Sequence, residues 1–116
     1  MKYVDALIHV IDGWNSNPIV DEWIFEKFRV SVVANMSASE AFNSINETVN
    51  LLLAEADEST ATEILQTLIG LAHRSETTEV PSALLTQMEA IKAKFSVFGD
   101  YAQNKQKELF KYYRLQ

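Results

Sequence analysis

The spacing of apolar residues constrains this chain most, because they recur every three or four positions over most of its length. That period puts apolar residues on one side of an α-helix, whereas a half-buried strand needs alternation with a period of two. Residues 29–33 are the one short stretch with strand-like alternation. Gly13, Gly99 and the two prolines stand where helices would begin or end. The pattern therefore predicts an all-α fold.

Six helices account for the periodic segments. They are predicted over residues 3–11, 18–30, 38–56, 61–74, 81–97 and 101–114. Gly13 is a predicted helix stop. Ser37 with Glu40, and Thr60 with Glu63, have the three-residue spacing of a capping box, in which each side chain bonds to the other residue's backbone N–H. We expect a compact bundle of five to six antiparallel helices.

Length and composition limit the class of protein. A chain of 116 residues is long enough for one domain, so we expect residues 1–116 to form a single helical domain. The hydrophobic fraction of 47% is too high for a disordered chain. Without cysteine there is no disulfide scaffold or thiolate zinc site. No apolar run reaches the roughly 18 residues of a membrane span, and the first residues lack a secretory pattern, so we expect a cytoplasmic protein that binds no membrane.

Charge divides the chain into two unequal parts. The formal net charge is -6. Residues 1–80 carry four basic against thirteen acidic residues, whereas residues 81–116 carry six basic against three acidic residues. The acidic part is expected to repel nucleic acid and to attract basic surfaces.

Two acidic groups and one aromatic residue are predicted to bind a partner. The acidic residues are Asp21, Glu22, Glu26, Glu55, Asp57, Glu58 and Glu63. Tyr112 joins them because a helix cannot point both Tyr112 and Tyr113 into the core, and an exposed tyrosine beside acids is a typical binding hot spot. The alternative is that these acids serve solubility and helix N-termini without a partner.

The last predicted helix is basic and aromatic. Its interleaved residues are Lys105, Lys107, Phe110, Lys111, Tyr112, Tyr113 and Arg114. Such a mixture can bind single-stranded nucleic acid, but cations also complement the carbonyl end of a helix. The overall acidity and the small number of cations favour the second interpretation, so no nucleic-acid partner is predicted. A third interpretation is that the acidic part of the chain holds this helix against itself.

The sequence carries no recognisable catalytic motif. It contains neither the Gly-x-Ser-x-Gly of a nucleophile elbow nor a glycine-rich phosphate loop. Asp5, His9 and Asp12 share one face of the first helix and could in principle ligate a metal, but three ligands from one short helix make a weak site. We therefore predict no catalytic residue, no cofactor and no metal, and a protein that is not an enzyme.

The second helix has more apolar residues than one face can hold. Trp23, Ile24, Phe25 and Phe28 wrap around it. Either this helix is central in the bundle, or it offers an aromatic side to a partner or to a second copy of the chain. A self-associating helical adaptor or regulator, forming a homodimer, is thus the alternative function.

In size, helical build, lack of cysteine and acidic clusters such as Glu55-Ala56-Asp57-Glu58, the chain resembles bacterial immunity proteins of the polymorphic-toxin or contact-dependent-inhibition kind. The resemblance covers the whole chain and carries over no individual binding residue. It implies an inhibitor that binds a toxin domain, often a basic nuclease, and blocks it.

Overall fold

The computed structural model describes residues 2–16 and 22–115, and within these ranges it contains seven α-helices and no strand. They are α1 (Tyr3–Ser16), α2 (Ile24–Phe28), α3 (Ala38–Ala54), α4 (Glu58–Ser75), α5 (Ser82–Thr86), α6 (Met88–Phe95) and α7 (Asp100–Tyr112). One turn of π-helix, Arg29–Val33, continues α2. The all-α prediction is confirmed, and the helix count exceeds the five to six predicted.

The extra helix arises because the single helix predicted over residues 81–97 is broken at Gln87. The backbone of Gln87 leaves the helical region, with φ -105° and ψ 11°, and this residue ends α5 and precedes α6. The short α5 packs on α3, whereas α6 packs on both α3 and α7. The apolar spacing predicts one continuous helix here, but the two halves pack on different sets of helices. Tertiary packing therefore breaks the helix at Gln87.

The strand-like residues 29–33 are helical in the structure. The amide of Ala34 donates to the carbonyl of Arg29 at 2.9 Å, which is the i to i+5 bond of a π-turn. Val33 is buried in this turn and Val30 is exposed. Tertiary packing of Val33 thus decides the conformation of a segment whose local preference is ambiguous.

Helix starts were predicted with mixed success. The Ser37 box is confirmed, since Ser37 Oγ accepts from the Glu40 amide at 3.1 Å and the Ser37 amide donates to Glu40 Oε1 at 3.0 Å. The bond from the Ser37 amide is the main cause that lowers the pKa of the Glu40 carboxyl. The cap predicted at Thr60 is wrong, because α4 starts earlier and Asp57 Oδ2 accepts from the Thr60 amide at 2.9 Å. Thr60 itself is buried.

The stop predicted at Gly13 is also wrong, because α1 continues through it. The ring of Trp14 meets the ring of Phe25 edge-on, with 5.3 Å between centroids, so packing against α2 holds the last turn of α1 in place. At the other end of the chain, Gly99 rather than Asp100 occupies the N-cap position of α7.

Helix α4 lies at the centre of one globule and packs on α1, α3, α7 and the π-turn. Arg74 Nε near its end donates to the carbonyl of Met36, just before α3, at 2.6 Å, so α3 and α4 run antiparallel. By contrast, α7 runs parallel to α4, because Glu58 meets Gly99 at their starts and His73 meets Tyr112 at their ends. The expectation of antiparallel packing therefore fails for this pair.

Candidate protein-binding surface

An acidic cleft opens where the starts of α4 and α7 meet. It has a volume of about 460 Å³ and is lined by Asp57, Glu58, Ser59, Thr62, Glu63, Tyr101 and Ala102. We call this set the acidic cleft. Tyr101 is 62% exposed and is its one large aromatic residue. The fold thus joins three of the predicted acids to a tyrosine that is distant in sequence.

Each acid of the cleft is held by a hydrogen bond from the chain itself. Asp57 caps α4 through its Oδ2 atom. Glu58 Oε2 accepts from the amide of Gly99 at 3.1 Å. Glu63 Oε1 lies 3.1 Å from Arg29 Nη1 in a partly buried ion pair. Each of these bonds uses one carboxylate oxygen, and no hydrogen bond to the other oxygen is found among the described residues.

Tyr101 is positioned from two sides. Gln66 Nε2 on α4 donates to its hydroxyl oxygen at 3.2 Å. Lys105 Nζ lies 5.7 Å from its ring centroid, within cation–π distance. An exposed aromatic side chain held in this way loses little conformational freedom when a partner covers it.

Glu55 lies beside the cleft but has a structural role. Its Oε1 atom accepts from Asn15 Nδ2 at 3.1 Å, and its Oε2 atom accepts from the amide of Asp57 at 3.0 Å. Asn15 in turn accepts from Thr60 Oγ1 at 2.6 Å. Both oxygens of Glu55 therefore tie the end of α1 to the α3–α4 connection.

The second predicted acidic group lies elsewhere. Glu22 and Glu26 are exposed on the segment that begins α2, and they line no part of the acidic cleft. Asp21 lies outside the described residues. Glu26 instead borders a groove of about 520 Å³ with Trp23, which is 56% exposed, and Val30, which is 65% exposed. Lys27 and Ser31 complete the lining, so this apolar groove has an acidic and a basic residue at its edge.

Tyr112 is not part of the acidic cleft. Its hydroxyl donates to the carbonyl of Thr77 at 3.1 Å, and its ring stacks on His73 with centroids 4.9 Å apart. His73 is in the last turn of α4, whereas Asp57 caps the first. At about 1.5 Å per residue, the two ends of α4 are more than 20 Å apart.

Tyr101, and not the predicted Tyr112, is the aromatic residue beside the acids of the cleft. It was not among the residues predicted from the sequence. A signal for it existed in the sequence. The buried stripe of α7 contains Ala102, Gln106 and Leu109, which repeat at intervals of four and three. Tyr101 precedes this stripe by one residue and therefore points about 100° away from it.

The three α1 residues considered as metal ligands are not assembled into a site with other ligands. Asp5, His9 and Asp12 are exposed along α1, and no group of three or more His, Cys, Asp or Glu side chains within residues 2–16 and 22–115 is arranged to hold a metal ion. None of the helices in these ranges is both long enough and apolar enough to cross a bilayer.

Comparison of the chain with protein-family models, with curated protein sequences and with solved structures finds no match.

Proposed function

We propose that this chain is a protein-binding inhibitor of the toxin-immunity kind, and that it neutralises a basic toxin domain through the acidic cleft. One observation carries the proposal: Asp57, Glu58 and Glu63 lie beside the exposed ring of Tyr101, and hydrogen bonds within the chain hold all four side chains. The resemblance in size, charge and helical build to immunity proteins agrees with it.

The physical argument has two parts. Acids grouped on one surface speed the encounter with a basic partner, and this gain falls as salt screens the charges. A rigid tyrosine then supplies contact area at a small entropic cost and slows dissociation. Such a surface suits an inhibitor, which must find its target quickly and remain bound.

The test uses substitutions that remove charge while keeping the hydrogen bonds. In the variant D57N/E58Q/E63Q, asparagine still caps α4 and the glutamine carbonyls can still accept from Gly99 and Arg29. The matched control D12N/E47Q/E79Q removes three exposed carboxylates from other parts of the surface. Both variants change the net charge equally, so a difference between them isolates the acidic cleft.

Wild-type chain immobilised at low salt is used to capture its partner from a lysate of the cells that make it, and the partner is then purified. We expect the cleft variant to associate with that partner at least about tenfold more slowly at low salt, and the control to stay close to wild type. Tyr101→Ala is expected to raise the dissociation rate. Equal slowing by the cleft variant and the control would contradict the proposed surface.

A second candidate function is self-association as an adaptor or regulator, and the exposed Trp23 and Val30 favour it. Sedimentation equilibrium over a range of concentrations tests it. A dimer that Val30→Glu dissociates would support it, with Leu85→Glu as the matched control because Leu85 is also apolar and 55% exposed. A strict monomer at high concentration would rule it out.

A further inference from the structure

A second cleft lies between α6 and α7 and has the opposite charge. Its volume is about 900 Å³, which falls within the range of small-molecule sites. It is lined by Lys92, Phe95, Ser96, Gln103, Gln106, Lys107, Phe110, Lys111, Arg114 and Leu115. We call this set the basic cleft. It contains four cations and no acidic residue, although the whole chain has a net charge of -6.

The cations at the outer edge of the basic cleft have no ion-pair partner among the described residues. Lys107, Lys111 and Arg114 are exposed, and no carboxylate of the described residues lies within 4.0 Å of their charged groups. Lys92 lies deeper, 5.7 Å from the ring centroid of Phe110 and 4.0 Å from Glu89. A concave site with several cations of this kind favours an anionic group.

The inner surface of the basic cleft is apolar. Phe95, Phe110 and Leu115 line it, and the two phenylalanines are buried. The aliphatic parts of the lysine side chains extend this apolar lining toward the charged edge. A ligand that fits both regions needs an apolar body and one anionic end.

Gln106 supplies a hydrogen-bonding group inside the basic cleft. Its side chain lines the basic cleft and is only 9% exposed. Its amide makes no hydrogen bond with any part of the chain that the structure describes. The amide atoms are not sealed in the core, because the Tyr113 hydroxyl is the buried side-chain polar group without a partner among the described residues. A ligand oxygen in the cleft would satisfy the amide N–H.

We propose that the basic cleft binds a free single-chain amphipathic anion, an alkyl carboxylate or alkyl phosphate. The alkyl chain lies over Phe110 and Leu115, the anionic head meets Lys107, Lys111 and Arg114, and the Gln106 amide donates to a head-group oxygen. This site is separate from the acidic cleft, so it can be tested without the protein partner of the proposed function.

The experiment is a titration of the ¹⁵N-labelled full chain with decanoate below its micelle concentration, followed by amide chemical shifts. We expect saturable binding with shift changes concentrated in α6 and α7. Acetate, which has the head without the chain, and 1-decanol, which has the chain without the charge, are expected to bind much more weakly. Decanol binding as tightly as decanoate would overturn the proposal, because it would show a site without charge recognition.

Variants separate specific recognition from general attraction. K107Q/K111Q/R114Q is expected to raise the dissociation constant for decanoate about tenfold or more, since it removes charge-assisted hydrogen bonds. The control K2Q/K94Q/K105Q removes the same charge outside the cleft and is expected to change it less than about twofold. Q106L is expected to weaken binding as well. Equal effects of the two triple variants would overturn the proposal.

A lipid head group in a membrane has the same chemistry as a free amphiphile. A separate measurement therefore has to show whether the cleft binds a free ligand or membrane lipid. Sedimentation with vesicles of neutral lipid, and with vesicles containing anionic phospholipid, provides it. We expect decanoate to bind in solution and the anionic vesicles to retain little protein. Retention by anionic vesicles without any binding of decanoate would assign the cleft to membrane lipid and overturn the free-ligand proposal.

Discussion

The carboxylate of Glu58 accepts a hydrogen bond from the backbone amide of Gly99, with 3.1 Å between Oε2 and N. Glu58 is the first residue of α4, and Gly99 caps α7. The bond therefore joins the starts of two helices that are distant in sequence. It also explains why Tyr101, in the first turn of α7, lies beside the acids of α4.

Glu58→Ala tests this link. Removing the acceptor is expected to lower the free energy of unfolding by about 0.5–1 kcal/mol, because the Gly99 amide is exposed and water replaces part of the bond. Glu58→Gln keeps a carbonyl acceptor and is expected to stay close to wild type. Urea unfolding followed by circular dichroism measures both. An equal loss in the two variants would show that charge, not the hydrogen bond, links the helices.

Asp57→Ala tests the helix cap of α4. The substitution removes the acceptor for the Thr60 amide, and loss of such a cap costs about 1 kcal/mol of stability. Asp57→Asn keeps a capping oxygen and is expected to unfold near the wild-type urea midpoint. This pair also checks the neutralised cleft variant, whose use requires that asparagine caps α4 adequately.

Tyr113→Phe and Tyr3→Phe are expected to have different effects on the free energy of unfolding. The hydroxyl of Tyr113 is buried without a hydrogen-bond partner among the described residues, so its removal relieves a desolvation cost and is expected to leave stability unchanged or raise it by up to about 1 kcal/mol. The hydroxyl of Tyr3 lies 2.7 Å from Thr48 Oγ1, and its removal is expected to cost about 1 kcal/mol. Denaturant midpoints of the two variants compare them directly. Destabilisation by Tyr113→Phe would contradict an unpaired hydroxyl.

Stability is expected to fall in alkaline solution. Burial raises the pKa of the Tyr3 and Tyr113 phenols, so the folded chain keeps protons that the unfolded chain loses near about pH 10. The stabilisation is complete below that pH and is lost as the pH rises above it. Urea midpoints between about pH 8 and 11 measure the slope. Tyr113→Phe should make it shallower, and an unchanged slope would mean that the Tyr113 phenol does not contribute.

Leu65→Ala tests the central position of α4. Leu65 is fully buried, and its truncation is expected to cost about 2–5 kcal/mol through lost burial and a residual cavity. Leu85→Ala is the control, because Leu85 is 55% exposed and is expected to change stability by less than about 0.5 kcal/mol. Thermal and urea unfolding of both variants measure the difference. Similar small losses would argue against α4 as the centre of the core.

Much of the local structure could be predicted from single segments. The apolar period identified helices, and the Ser37–Glu40 spacing identified a capping box, because the atoms involved are a few residues apart. The acids Asp57, Glu58 and Glu63 could be chosen as a group for the same reason. That Tyr101 lies beside them could not be predicted, because this depends on the parallel packing of α7 on α4.

The amino-acid sequence by itself determined the helical class, the acidic first part and the basic last part of this protein, because periodicity and charge are properties of neighbouring residues. Tertiary structure decided the break at Gln87, the π-turn at Arg29–Val33 and the joining of Glu58 to Gly99. These features depend on contacts between helices that are far apart along the chain. Packing in the core selects among local conformations of similar energy, and no local pattern contains that information.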